Sequence, residues 1–191
     1  MKSNLKIIGI LNITPDSFSD GGTFFAYKNA IEQAEQLFRD GADIVDVGAE
    51  STRPNAVTIT DEEEWSRLEE ILLKLIPMYP GKISVDSYHP ETVQNALNIG
   101  NVIVNDVTGM NNPKMVKVVV RHKARVIVSH LNGTDVQQAH SQKLIDDVII
   151  VKNDLFAKAD MLMQKGLPKQ NIILDPGIGF GKTSRLNTEL L

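Results

Sequence analysis

Gly9-Ile-Leu-Asn-Ile-Thr-Pro-Asp-Ser-Phe-Ser-Asp-Gly-Gly22 is the stretch on which the fold of this chain turns. An apolar run ending at Leu11 gives way to a loop holding Pro15, Asp16 and the glycine pair Gly21 and Gly22. Short apolar runs bounded by turn residues are buried strands, so Asn12 and the polar residues after it occupy a strand tip. The pattern repeats in kind. Gly48-Ala-Glu-Ser-Thr-Arg-Pro54, Ser84-Val-Asp-Ser-Tyr88, Val104-Asn-Asp-Val107 and Leu174-Asp-Pro-Gly-Ile-Gly-Phe-Gly-Lys-Thr183 each close an apolar run with a polar load. An open α/β sheet concentrates ligand contacts at one switch point, whereas a (β/α) barrel turns every strand end toward one face. Polar residues at nearly every strand end therefore favour the barrel.

Strands are expected at Lys6–Leu11, Ile44–Gly48, Lys82–Asp86, Val102–Asn105, Arg125–Ser129 and Ile172–Asp175. They read as continuous apolar runs, the signature of parallel strands buried on both faces. Helical periodicity lies between them. Ala30, Ile31, Ala34, Leu37 and Phe38 form one stripe, closed by Gly41. Thr60 and Glu63 form a capping box ahead of Trp65, Leu68, Ile71, Leu72, Leu75 and Ile76. The acidic run Asp61–Glu64 then reads as a helix start favoured by the macrodipole. Pro90 and Pro113 suit first helical turns, and Gly100 and Gly166 close later helices.

Bulk properties narrow the class. The 191 residues make a single domain over 1–191 with its own core. A net charge of −4 gives no reason to expect nucleic acid or an anionic membrane as partner. With no cysteine, disulfides and thiolate metal sites are excluded. No apolar run is long enough for a transmembrane helix, no signal-peptide pattern is present, and a cytoplasmic location is the expectation.

Taken together, the five motifs resemble dihydropteroate synthase, the folate-pathway enzyme that sulfonamides inhibit, from about Lys6 to Leu191. The resemblance implies a TIM (β/α)8 barrel, of which about six βα units can be counted. Six strands cannot close eight, so the chain is expected to be a C-terminally incomplete piece of a longer protein, with weak or no activity by itself. It implies a transferase that joins p-aminobenzoate to hydroxymethyl-dihydropterin pyrophosphate, releasing pyrophosphate, with Mg²⁺ as cofactor and a homodimer in the complete protein. Two other readings stand beside it: a pterin-dependent methyltransferase with a similar barrel, and a non-catalytic pterin-binding paralogue. The loops after the first two strands favour the synthase, because in that family they serve pyrophosphate and aminobenzoate.

Residue roles carried over by this resemblance are as follows. Asp175 takes the paired donors on the edge of the pterin, a task that suits a carboxylate. Asp86 and Asn105 complete the pterin pocket. Asp86, assisted by Asp20, favours the positive charge that spreads into the ring as the leaving group departs. Asn12 ligates Mg²⁺ through its amide oxygen, the ion keeping water and phosphate ligands otherwise. Arg53 acts on pyrophosphate or organises the amine site, with Ser51 and Thr52 beside it. Phe18 and Phe180 wall the aminobenzoate site, and Lys182 lies alongside the substrate. Gly177, Gly179 and Gly181 spell neither a dinucleotide turn nor a Walker A loop, since Pro176 stands where the latter needs glycine. His130 is expected to be structural, and Ser129 and Leu131 stand where the family has methionines, Ser129 making the pocket more polar. The family's Ser-Arg-Lys and Arg-x-His segments have no counterpart in these residues.

Overall fold

The computed structural model describes residues 5–14, 22–51, 58–133, 136, 139 and 142–191. The elements run β1 (Ile8–Asn12), α1 (Gly22–Arg39), β2 (Ile44–Gly48), α2 (Asp61–Met78), β3 (Ile83–Asp86), α3 (Pro90–Ile99), β4 (Ile103–Asp106), α4 (Pro113–His122), β5 (Arg125–Ser129), α5 (Val148–Gln164), β6 (Ile172–Asp175) and α6 (Ser184–Glu189). All strands pair in parallel and in sequence order, β1 to β6, in one sheet. A doubly wound sheet would reverse its order at a switch point. Here each crossover steps one strand in the same direction, so the helices fall on one side. Helix α1 packs on α2, α2 on α3, and α3 on α4 in turn. The result is a TIM barrel wall seen over six of its strands.

Alternation along the strands sorts the two faces. Leu11, Val45, Val47, Ile83 and Val85 point outward, into a buried cluster with Leu68, Ile71, Leu72 and Leu75 of α2. Val104, Val126 and Val128 do the same under α4 and α5, with Met115, Val119 and Leu162. The inward face is layered. Ile44, Ile103 and Ile127 make a small apolar cluster, and polar residues lie above it at the strand ends. Strands β1 and β6 are the two edges of the sheet, so inward Ile8, Ile10 and Ile173 remain 39%, 55% and 39% exposed.

Local chemistry explains the element ends. Glu63 N–H donates to Thr60 Oγ1 (3.2 Å), the first half of the expected capping box, but the Glu63 carboxylate turns to Arg67 (2.5 Å). Pro90 and Pro113 occupy first turns, where the missing N–H has no intrahelical partner to lose. Gly41 and Gly166 follow α1 and α5 at φ of +106° and +99°, a region open to glycine at little cost.

Candidate active site

Register sets the site. Asn12 pairs with Gly48, Gly48 with Asp86, and Asp86 with Asn105, so these residues share one rung across β1 to β4. Neighbouring strands lie about 4.8 Å apart, which brings three polar side chains along one inward row. Gly48 makes the row possible, because a Cβ there would stand 3.2 Å from both Cβ and Oδ2 of Asp86. Two residues further up β5, Ser129 pairs with Asp175 of β6 and closes the polar rim.

Hydrogen bonds orient the rim. Asn105 Nδ2 donates diagonally to Asp46 Oδ2 (2.9 Å), which leaves the Asn105 amide oxygen turned from that contact. Ser129 Oγ donates to Asp175 Oδ2 (2.9 Å), and Gly177 N–H donates to Asp175 Oδ1 (2.9 Å). His130 N–H donates to the Asp175 carbonyl, continuing the β5–β6 ladder.

Electrostatics are dominated by buried acid. Burial, then the charges of Asp46, Glu64, Asp106 and Glu50, push Asp86 well above the ordinary carboxylate range. Burial also raises Asp46, with the Ser84 hydroxyl and then the Asn105 amide opposing. Ser84 lies beside Asp46 in register, and Asp46 Oδ1 and Ser84 Oγ are both buried. Asp106 is raised by burial as well, although Thr108 and Met110 donate to both its oxygens and make it the anchor of the loop after β4.

A second polar cluster flanks the rim. His89, the N-cap of α3, donates from Nδ1 to Asp61 Oδ1 (2.7 Å) and from Nε2 to Glu50 Oε2 (3.2 Å). Tyr88 Oη donates to Glu50 Oε1 (2.7 Å), and Ser87 Oγ donates to Glu64 Oε2 (2.6 Å). Burial disfavours a charged ring, yet the bond to Glu50 and the charges of Glu64 and Asp61 outweigh it and push His89 up to about 9. Glu50, Glu64 and His89 bring ligand atoms within 4.8 Å of one another, a grouping that could hold a metal ion. At neutral pH the protonated ring has no lone pair to offer, and both its nitrogens already face carboxylates.

Several sequence expectations meet their geometry here. Asn12, Asp86, Asn105 and Asp175 gather on the inward rim. Phe180 packs with Tyr88, Val107, Leu131, Val136 and Ala139 just beyond it. Phe18, Asp20, Thr52 and Arg53 lie outside the described residues. Lys182 calls for a correction. It is 5% exposed, and Nζ donates to the carbonyls of His130 (3.1 Å), Gly177 (2.7 Å) and Phe180 (3.1 Å). All three ammonium protons are used inside the protein, so Lys182 ties the loop after β6 to the end of β5. Burial draws it down to about 8, against the attraction of Asp175 and Asp154. His130, just after β5, is buried, and burial and the Lys182 charge lower it.

Sequence reading missed Asp46, Glu50, Glu64 and His89. An aspartate inside the apolar strand Ile44-Val-Asp-Val-Gly48 was a visible signal for the first. Nothing in the spacing of Glu50, Asp61, Glu64 and His89 announced the cluster, because three loops and helices must meet to form it. Asp61 and Glu64 therefore do more than start α2.

Comparison with known proteins agrees with this geometry. Dihydropteroate synthases of Streptococcus pyogenes and Bacillus subtilis are 38% and 35% identical to it over its whole length, which spans 70% and 65% of theirs. A Xanthomonas albilineans dihydropteroate synthase solved with 4-aminobenzoic acid superimposes with a TM-score of 0.86 at 33% identity, over 97% of this chain and 66% of that one. An Anaplasma phagocytophilum dihydropteroate synthase with bound 6-hydroxymethylpterin-monophosphate gives 0.83 at 32% identity, over 98% of this chain and 72% of that one. Matched along residues 8–191 by the family described as pterin binding enzyme, the chain belongs with the dihydropteroate synthases among the pterin binding enzymes.

Proposed function

We propose that this protein works as a dihydropteroate synthase, joining p-aminobenzoate to a dihydropterin pyrophosphate at the inward rim of its strands. One observation carries the reading: Asp86, Asn105 and Asp175, on three different strands, converge with Asn12 at a single end of the barrel wall. A flat pterin carries two adjacent donors, and Asp175 offers two oxygens already held in plane by Ser129 and Gly177. Asn105 adds an amide fixed by Asp46. Phe180 and its apolar neighbours supply a wall beside the rim for an aromatic amine.

Asp86 acts on charge. Surrounded by buried acids, its carboxyl is held toward the neutral form before reaction. Positive charge spreading into the pterin as pyrophosphate leaves makes the ionised form favourable, so Asp86 stabilises the reacting state more than the ground state. In this reading Asp20 assists it, and Arg53 with Thr52 attends the pyrophosphate side. Lys182 is assigned to holding the loop that carries Phe180.

Mg²⁺ is part of the proposal. Asn12 ends β1 with an exposed side chain on the Asp86 rung, and a solvent-open amide oxygen suits a hard ion that retains several waters. Such an ion would neutralise charge on the departing pyrophosphate. The Glu50–Glu64–His89 cluster is not assigned to it, for the reason given above.

Direct titration with 6-hydroxymethylpterin monophosphate, together with a dihydropteroate-forming assay in Mg²⁺, tests the reading. Asp175→Asn puts a donor where the ligand presents donors, and should weaken binding by roughly 10–100-fold. Unchanged affinity in that variant would remove Asp175 from the site. Failure of the unmodified protein to bind at all would overturn the pterin reading.

A further inference from the structure

We propose that Ser129 is a positioning residue, one that sets the Asp175 carboxylate for its ligand without touching the reacting atoms; this rests on the pterin reading above. The two residues are register partners across β5 and β6, with side chains on the same inward face. Ser129 is 3% exposed, and its single O–H is committed to Asp175 Oδ2 at 2.9 Å. The opposite oxygen is held by Gly177 N–H at 2.9 Å. That second clamp needs glycine. Gly177 has φ +64°, and a Cβ there would lie 2.1 Å from the His130 carbonyl oxygen.

Clamped from both sides, the carboxylate has a fixed plane, and each oxygen keeps a lone pair for a ligand donor. Asp175 itself is only partly buried. A carboxylate without such a clamp would rotate, and its two acceptors would face a planar ligand only part of the time. Orientation of this kind lowers the ordering cost of binding.

Three features separate this role from packing. A hydroxyl-bearing replacement should retain it, an isosteric loss of the hydroxyl should remove it, and it should vanish when the carboxylate is absent. The test is a fluorescence titration of 6-hydroxymethylpterin monophosphate against the unmodified protein, Ser129→Ala, Ser129→Thr, Asp175→Ala and the Ser129→Ala/Asp175→Ala double variant, with thermal melts of each to show that it is folded. Ser129→Ala should weaken binding by about tenfold, in line with one hydrogen bond to a charged group. Ser129→Thr should stay within about twofold of the unmodified protein. In the Asp175→Ala background the serine substitution should change affinity by less than about twofold, since partners in one interaction are not additive. Equal losses with and without the carboxylate, or a folded Ser129→Ala protein that binds as tightly as the unmodified one, overturn the inference while leaving the pterin reading intact. No binding by the unmodified protein overturns both.

Discussion

His89→Gln is the perturbation whose outcome the structure constrains most tightly. The ring sits between Glu50 and Asp61, with Glu64 close by and the Tyr88 ring at 4.5 Å. Its rise from 6.5 to about 9, at about 1.4 kcal/mol per unit, sets a ceiling of roughly 3.4 kcal/mol on the charge contribution. The imidazole remains 10% exposed and Asp61 34% exposed, so solvent screening brings the expected value to about 2 kcal/mol. For a domain of this size that is about 4–8 °C in Tm. The sign follows from the raised value. The stabilisation is complete below 6.5 and is lost as pH rises through about 9. Denaturant melts of the two proteins at pH 6, 8 and 10 should therefore show a gap that is full at pH 6, reduced at pH 8, and nearly closed at pH 10. A gap that is constant across that range would refute the reasoning and assign His89 to packing alone.

Two further outcomes follow from the same electrostatics and hydrogen bonding. Lys182→Met removes the donor shared by the carbonyls of His130, Gly177 and Phe180; leaving these buried acceptors unmet should cost about 2–4 kcal/mol, read as a lowered Tm. Asp46→Asn keeps an acceptor for the Asn105 amide while removing a buried charge, so it should stabilise the protein at pH 8 by about 1 kcal/mol. Because burial raises Asp46, the cost of its charge builds as pH rises from the ordinary carboxylate value and is complete above the folded one, so the advantage of the asparagine should close in urea melts taken below pH 4. Destabilisation at pH 8 would show that the partners of the Asp46 carboxylate more than offset the cost of burying it.

Much of the fold was legible because its determinants are local. All six expected strands occur within two residues of their expected ends, since an apolar run between turn residues has few other stable places to go. Pro90, Pro113, Gly41 and Gly166 mark helix ends because backbone sterics act at single positions. Asp86, Asn105 and Asp175 could be singled out because each follows directly on an apolar run. Lys182 misled for the opposite reason. A lysine in a glycine-rich loop reads as a ligand contact, and only the folded loop reveals three backbone carbonyls converging on its ammonium.

By itself, then, the sequence determined the order of parallel strands and helices, the polar residues at the strand tips, and that none of these 191 residues is a cysteine. Register decided the rest. It is register that sets Asn12, Asp86 and Asn105 on one rung with Gly48 leaving room between them, and that pairs Ser129 with Asp175. The His89 cluster likewise exists only after the loop following β2, the start of α2 and the loop following β3 have met. Contacts between residues distant in sequence depend on how strands align and helices pack, and no local pattern encodes that alignment.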